Sequence, residues 1–420
     1  MHTRQSILIF AIGVAGIAFG QPAPRTPEDA VRLGIERSRA VAAAKARVLE
    51  AEAAARALRS VINPRLEVAP GTGFTNSNAF LSQEFDLSGS RRAQRDRAGA
   101  EASKARAELG LVMLDTAAEV RRAYFRLARA QHAHKLAAEL ASFAARFHDL
   151  VKRKVDLGDA SQVQAMRAEL EAERTRLAVE RATSERDAAI AEIASLLGLP
   201  SAPLEVQEMD VGLPAGPGDL LGLIAAAKGD RPESAIARAQ VEASLAAVRI
   251  ARARFGPTLF ADLAADVWSL DRDPWRSDNV GFQIRLGLPL FDRGELRSGE
   301  RAAQAAKAVA EAFAAENERR IEVQVRQAHA HFGSQLSTAR GYAESIEPKA
   351  RALLEAEMKG YEAGLVSFLE VIESQRAYAT FRLEALEALA AARAAETAFL
   401  RAIGRIPGAS IDAPSTEAKP

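Results

Sequence analysis

From Leu259 the chain alternates: Leu259, Ala261, Leu263, Ala265 and Val267 are apolar, while Asp262 and Asp266 fall on the other parity. Strand side chains point to opposite faces in turn, so this pattern predicts a strand with one greasy and one wet side. A partner run repeats it more cleanly, with Val280, Phe282, Ile284, Leu286 and Leu288 set against Gly281, Gln283, Arg285 and Gly287. Two weaker runs stand earlier, carrying Leu66 and Val68, then Leu81, Phe85 and Leu87. The later pair is close to the 9–11 residues that a tilted membrane-spanning strand needs. Elsewhere the period changes to that of a helix. Leu136, Leu140, Phe143, Phe147 and Leu150 recur at steps of four and three and lay a narrow seam along one face. No proline interrupts the chain between Pro70 and Pro200, and a helix from Arg91 to Asp156 is a rod on the order of 100 Å at 1.5 Å per residue.

The elements come in two copies. The first runs through Asn63-Pro64, an extended segment, Phe85-Asp86-Leu87-Ser88-Gly89, a long helix, Gly158-Asp159-Ala160-Ser161, a second helix and Leu197-Gly198. The second runs through Gly256-Pro257, an extended segment, Leu290-Phe291-Asp292-Arg293-Gly294, a long helix, Gly364-Leu365-Val366-Ser367, a helix and Ile403-Gly404. Gly89 answers Gly294, Gly158 answers Gly364, Ser161 answers Ser367 and Gly198 answers Gly404. Copy two is longer between its strands, around Asp271-Arg272-Asp273-Pro274-Trp275, which reads as a loop insertion.

The division that follows is a first repeat over 21–198, with strands at about 64–70 and 79–87, and a second over 219–404, with strands at about 257–269 and 279–290. A proline- and glycine-rich linker, 199–218, joins them, and 405–420 is expected to be a flexible tail. Gly158 and Gly364 are suited to the left-handed conformation that stops a helix. Ser161-Gln162-Val163-Gln164 and Ser367-Phe368-Leu369-Glu370 each predict a capping box at the start of the returning helix. These features mark the tips of two helical hairpins. Pro348 predicts a kink or break in the second long helix.

Composition sets the compartment and excludes most chemistry. Residues 1–20 open with a basic start, pass through an apolar centre from Ile7 to Phe19 and end in small residues, the order of a cleaved secretion signal. Nothing later is long and apolar enough to span a bilayer as a helix, so the mature chain is either soluble or inserted as a β-barrel, and composition does not choose between them. The absence of cysteine removes disulfides, thiol chemistry and a lipidated N-terminal cysteine. Acids and bases balance, 55 against 56, so no nucleic-acid partner is indicated. His132 with His134 and His329 with His331 stand at i,i+2, which points them apart on a helix and argues against a metal site. No phosphate loop or nucleophile elbow is present; no cofactor is expected, and the chain is not expected to be an enzyme. Four strands are too few for a pore, since about eight is the practical minimum, so neighbouring chains must complete any barrel.

The duplicated strand–strand–long helix plan resembles the outer-membrane factor, or TolC-like, family of efflux proteins, as do Leu288-Pro289-Leu290-Phe291-Asp292, Tyr361-Glu362-Ala363-Gly364 and the segment from Ser367 to Glu373. The strand-exit strings resemble the heavy-metal or cation efflux branch most. The resemblance implies a mainly α fold with a β-barrel part. It also implies a homotrimer closing a twelve-stranded barrel in the outer membrane lipid, with helical hairpins forming a tunnel through the periplasm. The partners it implies are a periplasmic adaptor docking at the tips (Gly158, Ser161, Gly364, Ser367) and an inner-membrane pump of the RND type. By the same resemblance Glu370 and Glu373 match two carboxylates that ring the narrow entrance, and Tyr361 matches a gate tyrosine. Where other members have an arginine and an acid near that tyrosine, this chain has Val366 and Gln164, so a tyrosine-to-amide contact between Tyr361 and Gln164 is expected. A periplasmic coiled-coil adaptor or scaffold is the alternative reading; it would carry one hairpin and a compact β domain.

Overall fold

A computed structural model describes residues 26–60, 62–69, 78–199, 212–266, 280–289, 291 and 293–409. The expected secretion signal, the expected loop insertion around Trp275, and most of the expected linker and tail lie outside the described residues. The chain is mainly helical and carries one small sheet. Copy one consists of α1 (Pro27–Arg37), α2 (Arg39–Ala57), β1 (Arg65–Ala69), β2 (Asn78–Asp86), α3 (Ser90–Asp156) and α4 (Gln162–Leu196). Copy two consists of α5 (Leu220–Asp230), α6 (Pro232–Ala253), β3 (Thr258–Asp266), β4 (Val280–Gly287), α7 (Glu295–Gly341), α8 (Glu347–Glu362) and α9 (Phe368–Ala402). The 67 residues of α3 make a rod of about 100 Å.

The two strand pairs fuse into one antiparallel sheet in the order β1-β2-β3-β4, with β2 and β3 pairing across the copies. Its register lines up Leu66, Leu81, Leu263 and Phe282 on one face. Because the period is two, the same register gathers Arg65, Ser82, Asp262 and Gln283 on the other. The roots of the sheet are held tightly. Asp86 accepts hydrogen bonds from the backbone N–H groups of Ser88, Ser90 and Arg91, the last at 2.6 Å, and so turns the chain from β2 into α3. At the root of β3, a Cβ on Gly256 would lie 2.6 Å from that of Ser88, so only glycine lets the two roots touch.

Among the described residues no single core holds the molecule together. One buried cluster joins α1, α3 and the end of α4 through Val31, Leu114, Leu127, Ile193 and Leu197. A second joins α5, α7 and α9 through Ile224, Ile321, Val325, Phe332 and Phe399. Ion pairs tie these waist clusters together: Arg121, 4% exposed, reaches Glu28 at 3.0 Å and Glu396 at 3.2 Å. Arg401 bridges Asp115 at 2.9 Å and Glu233 at 3.2 Å. The break expected at Pro348 takes a particular form. A π turn, Tyr342–Ile346, connects α7 to α8 in one continuous helical path and leaves Pro348, which has no N–H to give the preceding turn, in the first turn of α8. Tyr342 Oη donates to Glu384 Oε2 at 3.2 Å, pinning the π turn to α9.

Candidate functional site

Two regions of the rod carry features that packing alone does not explain: the sheet at one end and the paired hairpin tips at the other. On the sheet, the apolar face is open to its surroundings. Leu66 is 66% exposed and Phe282 68%, and Leu81, Phe85, Leu263, Ile284 and Leu286 are all exposed as well. A contiguous apolar surface of this kind marks a membrane or protein contact. The opposite face is polar and ordered. Asp262, 1% exposed, accepts from Ser82 Oγ at 2.5 Å, from Gln283 Nε2 at 3.2 Å and from both Nε and a terminal nitrogen of Arg285 at 2.5 and 3.0 Å. One carboxylate therefore stitches β2, β3 and β4 together with charge-assisted hydrogen bonds. Arg285 also stacks over Phe260, 5.2 Å from the ring centroid. A cavity of about 420 Å³ opens on this face, lined among others by Arg65, Glu67, Glu84 and Arg285. The sheet is greasy on one face and wet on the other, and among the described residues its two edge strands, β1 and β4, have free edges in the single chain.

The tips are built twice from the same backbone chemistry. At the first, Gly158 has φ +84°; its N–H and that of Asp159 return to the carbonyls of Val155 and Lys154 at 3.0 and 2.8 Å. At the second, Gly364 has φ +78°, and it and Leu365 return to Tyr361 and Gly360 at 3.1 and 2.8 Å. Both are the paired-bond helix stop that glycine permits. Each returning helix starts with a complete capping box, Ser161 with Gln164 and Ser367 with Glu370. Glu370 accepts from the Ser367 N–H at 2.7 Å, and that bond lowers its carboxyl below the usual glutamate value. Glu370 and Glu373 are both exposed.

Behind the tips lies the third buried cluster, Phe147, Val151, Ala168, Tyr361, Phe368, Val371 and Ile372, which packs one hairpin on the other. Tyr361 sits inside it, 5.4 Å from the Phe147 ring and 6.5 Å from Phe368, and burial raises its hydroxyl pKa. The expected tyrosine-to-amide contact is not formed. The Gln164 Oε1 closes its own capping box by accepting from Ser161 N–H at 3.1 Å. Tyr361 instead meets the first hairpin through Lys154, whose Nζ donates to the Tyr361 carbonyl at 3.0 Å and lies 4.6 Å from the ring centroid. One turn further up, Arg376 on α9 donates to Glu171 on α4 at 2.7 Å, and Arg174 approaches the same carboxylate at 3.7 Å. The Glu171 side chain is 8% exposed and that of Arg376 54%.

Lys154, Glu171 and Arg376 were missed by sequence reasoning. A faint signal existed, because Glu171 stands three residues after Ala168 on the seam of α4, where a charge needs a partner. Nothing in the sequence named that partner. His329 Nε2 lies 3.1 Å from the Gly218 carbonyl and its ring meets Phe399 edge-on; among the described residues no group of three or more His, Asp or Glu side chains is placed to hold a metal ion.

The sequence profile of the family described as outer membrane efflux protein matches residues 31–199 and 223–405. The cobalt-zinc-cadmium resistance protein CzcC of Cupriavidus metallidurans is 29% identical over 393 residues, covering 91% of this chain and 90% of its own. Among solved structures, the outer membrane protein VceC of Vibrio cholerae superposes with a TM-score of 0.75 at 19% identity, over 91% of this chain and 96% of its own. The open state of the MtrE outer membrane channel of Neisseria gonorrhoeae gives 0.75 at 18% identity, over 91% and 90%.

Proposed function

The chain belongs to the outer membrane efflux protein family, and on that premise we propose that three copies close one duct, a twelve-stranded barrel in the membrane set on a helical tunnel. The protein is an outer membrane efflux channel that extends into the periplasm, and it is not an enzyme. The sheet carries the trimer reading. Its outward face is suited to lipid and its inward face to water, yet it has four strands where a pore needs about eight or more. Unpaired strand edges are not tolerated in a bilayer, so β1 and β4 must find partners on neighbouring chains.

The hairpins extend this duct inward. In this reading residues 1–20 are removed on secretion, 21–198 and 219–404 are the two repeats joined by 199–218, and 405–420 is a tail. The tips at Gly158, Ser161, Gly364 and Ser367 are the docking points for a periplasmic adaptor, which links the duct to an inner-membrane pump of the RND type. Glu370 and Glu373 ring the entrance, and Tyr361 with Lys154 and the Arg376–Glu171 pair hold the two hairpins of each chain together there. The cargo is a metal cation. The name of the relative CzcC supports this, as do the exposed carboxylates, whose threefold repetition would draw cations into a narrow mouth.

Reconstitution into planar bilayers tests the reading. Purified protein should give discrete conductance steps with a cation preference, and native membranes should keep the protein in the pellet after a carbonate wash. Full release by carbonate with no conductance would favour the scaffold alternative.

A further inference from the structure

The first two turns of α7 carry Arg297 and Arg301, one turn apart and both exposed. Among the described residues no carboxylate pairs with either. Glu300, the acid beside them, is already held by Arg252 at 2.8 Å and by Gln304 at 2.9 Å. The two guanidiniums, Glu300, Gln304 and Phe255 line a shallow cavity of about 440 Å³. Phe255 is 41% exposed at the foot of β3, and the segment leaving β4 exposes Leu288 and, at 96%, Phe291. Phe255, at the foot of the sheet, thus shares the cavity with two guanidiniums that no described carboxylate pairs. Copy one lacks this arrangement: its equivalent positions hold Arg92 and Asp96, and Asp96 is paired with Arg249 at 3.0 Å.

We propose that this cavity docks the phosphodiester headgroup of an anionic phospholipid from the leaflet facing the periplasm. The inference rests on the outer membrane reading given above. Headgroups occupy a layer about 5–8 Å deep beyond the hydrocarbon on each side. The start of α7 lies next to it, and arginine stems are long enough to carry their charge back toward it. Arg297 and Arg301 supply paired donors for the phosphodiester oxygens, and Phe255 supplies an apolar wall that a free anion would leave unused.

Wild-type protein equilibrated with equal phosphatidylglycerol and phosphatidylcholine in detergent, then examined by native mass spectrometry, should retain phosphatidylglycerol roughly tenfold over phosphatidylcholine, as two arginines near an anionic surface imply. Arg297→Ala with Arg301→Ala should bring the ratio near unity, and Arg297→Lys with Arg301→Lys should keep most of it. Should the alanine pair fail to assemble, Arg301→Asp, which restores the copy-one arrangement, should lower the ratio in its place. Inorganic phosphate at millimolar concentration should not displace the lipid. Parity in wild type, an unchanged ratio in the substituted protein, or displacement by phosphate overturns the proposal. A wild type found outside the membrane fraction overturns the channel reading with it, whereas a membrane-embedded wild type without headgroup preference overturns this inference alone.

Discussion

At the second tip one carboxylate caps a helix and is also proposed to ring the entrance. Glu370 closes the capping box of α9 by accepting from Ser367 N–H, and it stands exposed where the entrance ring is proposed. Copy one separates the roles, since Gln164 caps α4 with an amide that carries no charge. Glu370→Gln with Glu373→Gln should therefore lower cation preference, read as a smaller reversal potential in a salt gradient, while leaving the tip as protected from hydrogen exchange as wild type. Glu370→Ala should in addition fray the first turn of α9. Because the Ser367 bond lowers the Glu370 pKa, the cap's contribution is present above the ordinary glutamate value and is lost as pH falls through the folded one. Hydrogen exchange in the first turn of α9, corrected for its intrinsic pH dependence, should rise only as pH falls below the ordinary glutamate range, and a rise near neutrality would contradict the assignment. Both capping boxes were legible as a serine followed three residues later by glutamine or glutamate, since that chemistry is local. Lys154–Tyr361 and Glu171–Arg376 were not, because their partners stand 207 and 205 residues apart and meet only through the packing of one hairpin on another.

Between elements, the Glu171–Arg376 pair is the polar link from α4 to α9, and it sits beside an apolar cluster that resists separation. A double-mutant cycle with Glu171→Gln and Arg376→Ala should return a coupling of about 1 kcal/mol, modest because the arginine is half in water. Arg376→Ala alone should raise open probability in bilayer recordings, and unchanged gating would remove the pair from the account of the entrance. In the sheet the two faces should answer differently to the same insult. Leu263→Arg places a charge on the outward face, where the cost near mid-membrane is about 2–4 kcal/mol, and should reduce trimer yield. Gln283→Arg, on the wet face of β4, should assemble normally and alter only selectivity; equal losses would mean that the faces are misassigned. The alternation of β3 and β4 made these faces readable beforehand. It could not reveal that β2 pairs with β3, because a period of two tells which side a residue faces and not which strand lies beside it.

At the scale of the whole molecule, the described residues form a long frame with four separate buried clusters and no central core. Length and duplication were readable, because uninterrupted helical periodicity and matched glycines survive in the linear sequence. Closure by neighbouring chains is a proposal that rests on arithmetic, four strands against the number a pore requires. The chain contains no cysteine, so introduced pairs report without background. The most direct test places one cysteine in β1 (for example Glu67→Cys) and one in β4 (for example Gln283→Cys), scans neighbouring registers, and oxidises the protein in intact membranes. The account predicts that at least one pair yields disulfide-linked dimers and trimers on a non-reducing gel, and that each single cysteine does not give trimers. Monomers at every register, from protein that is folded and membrane-bound, would contradict it.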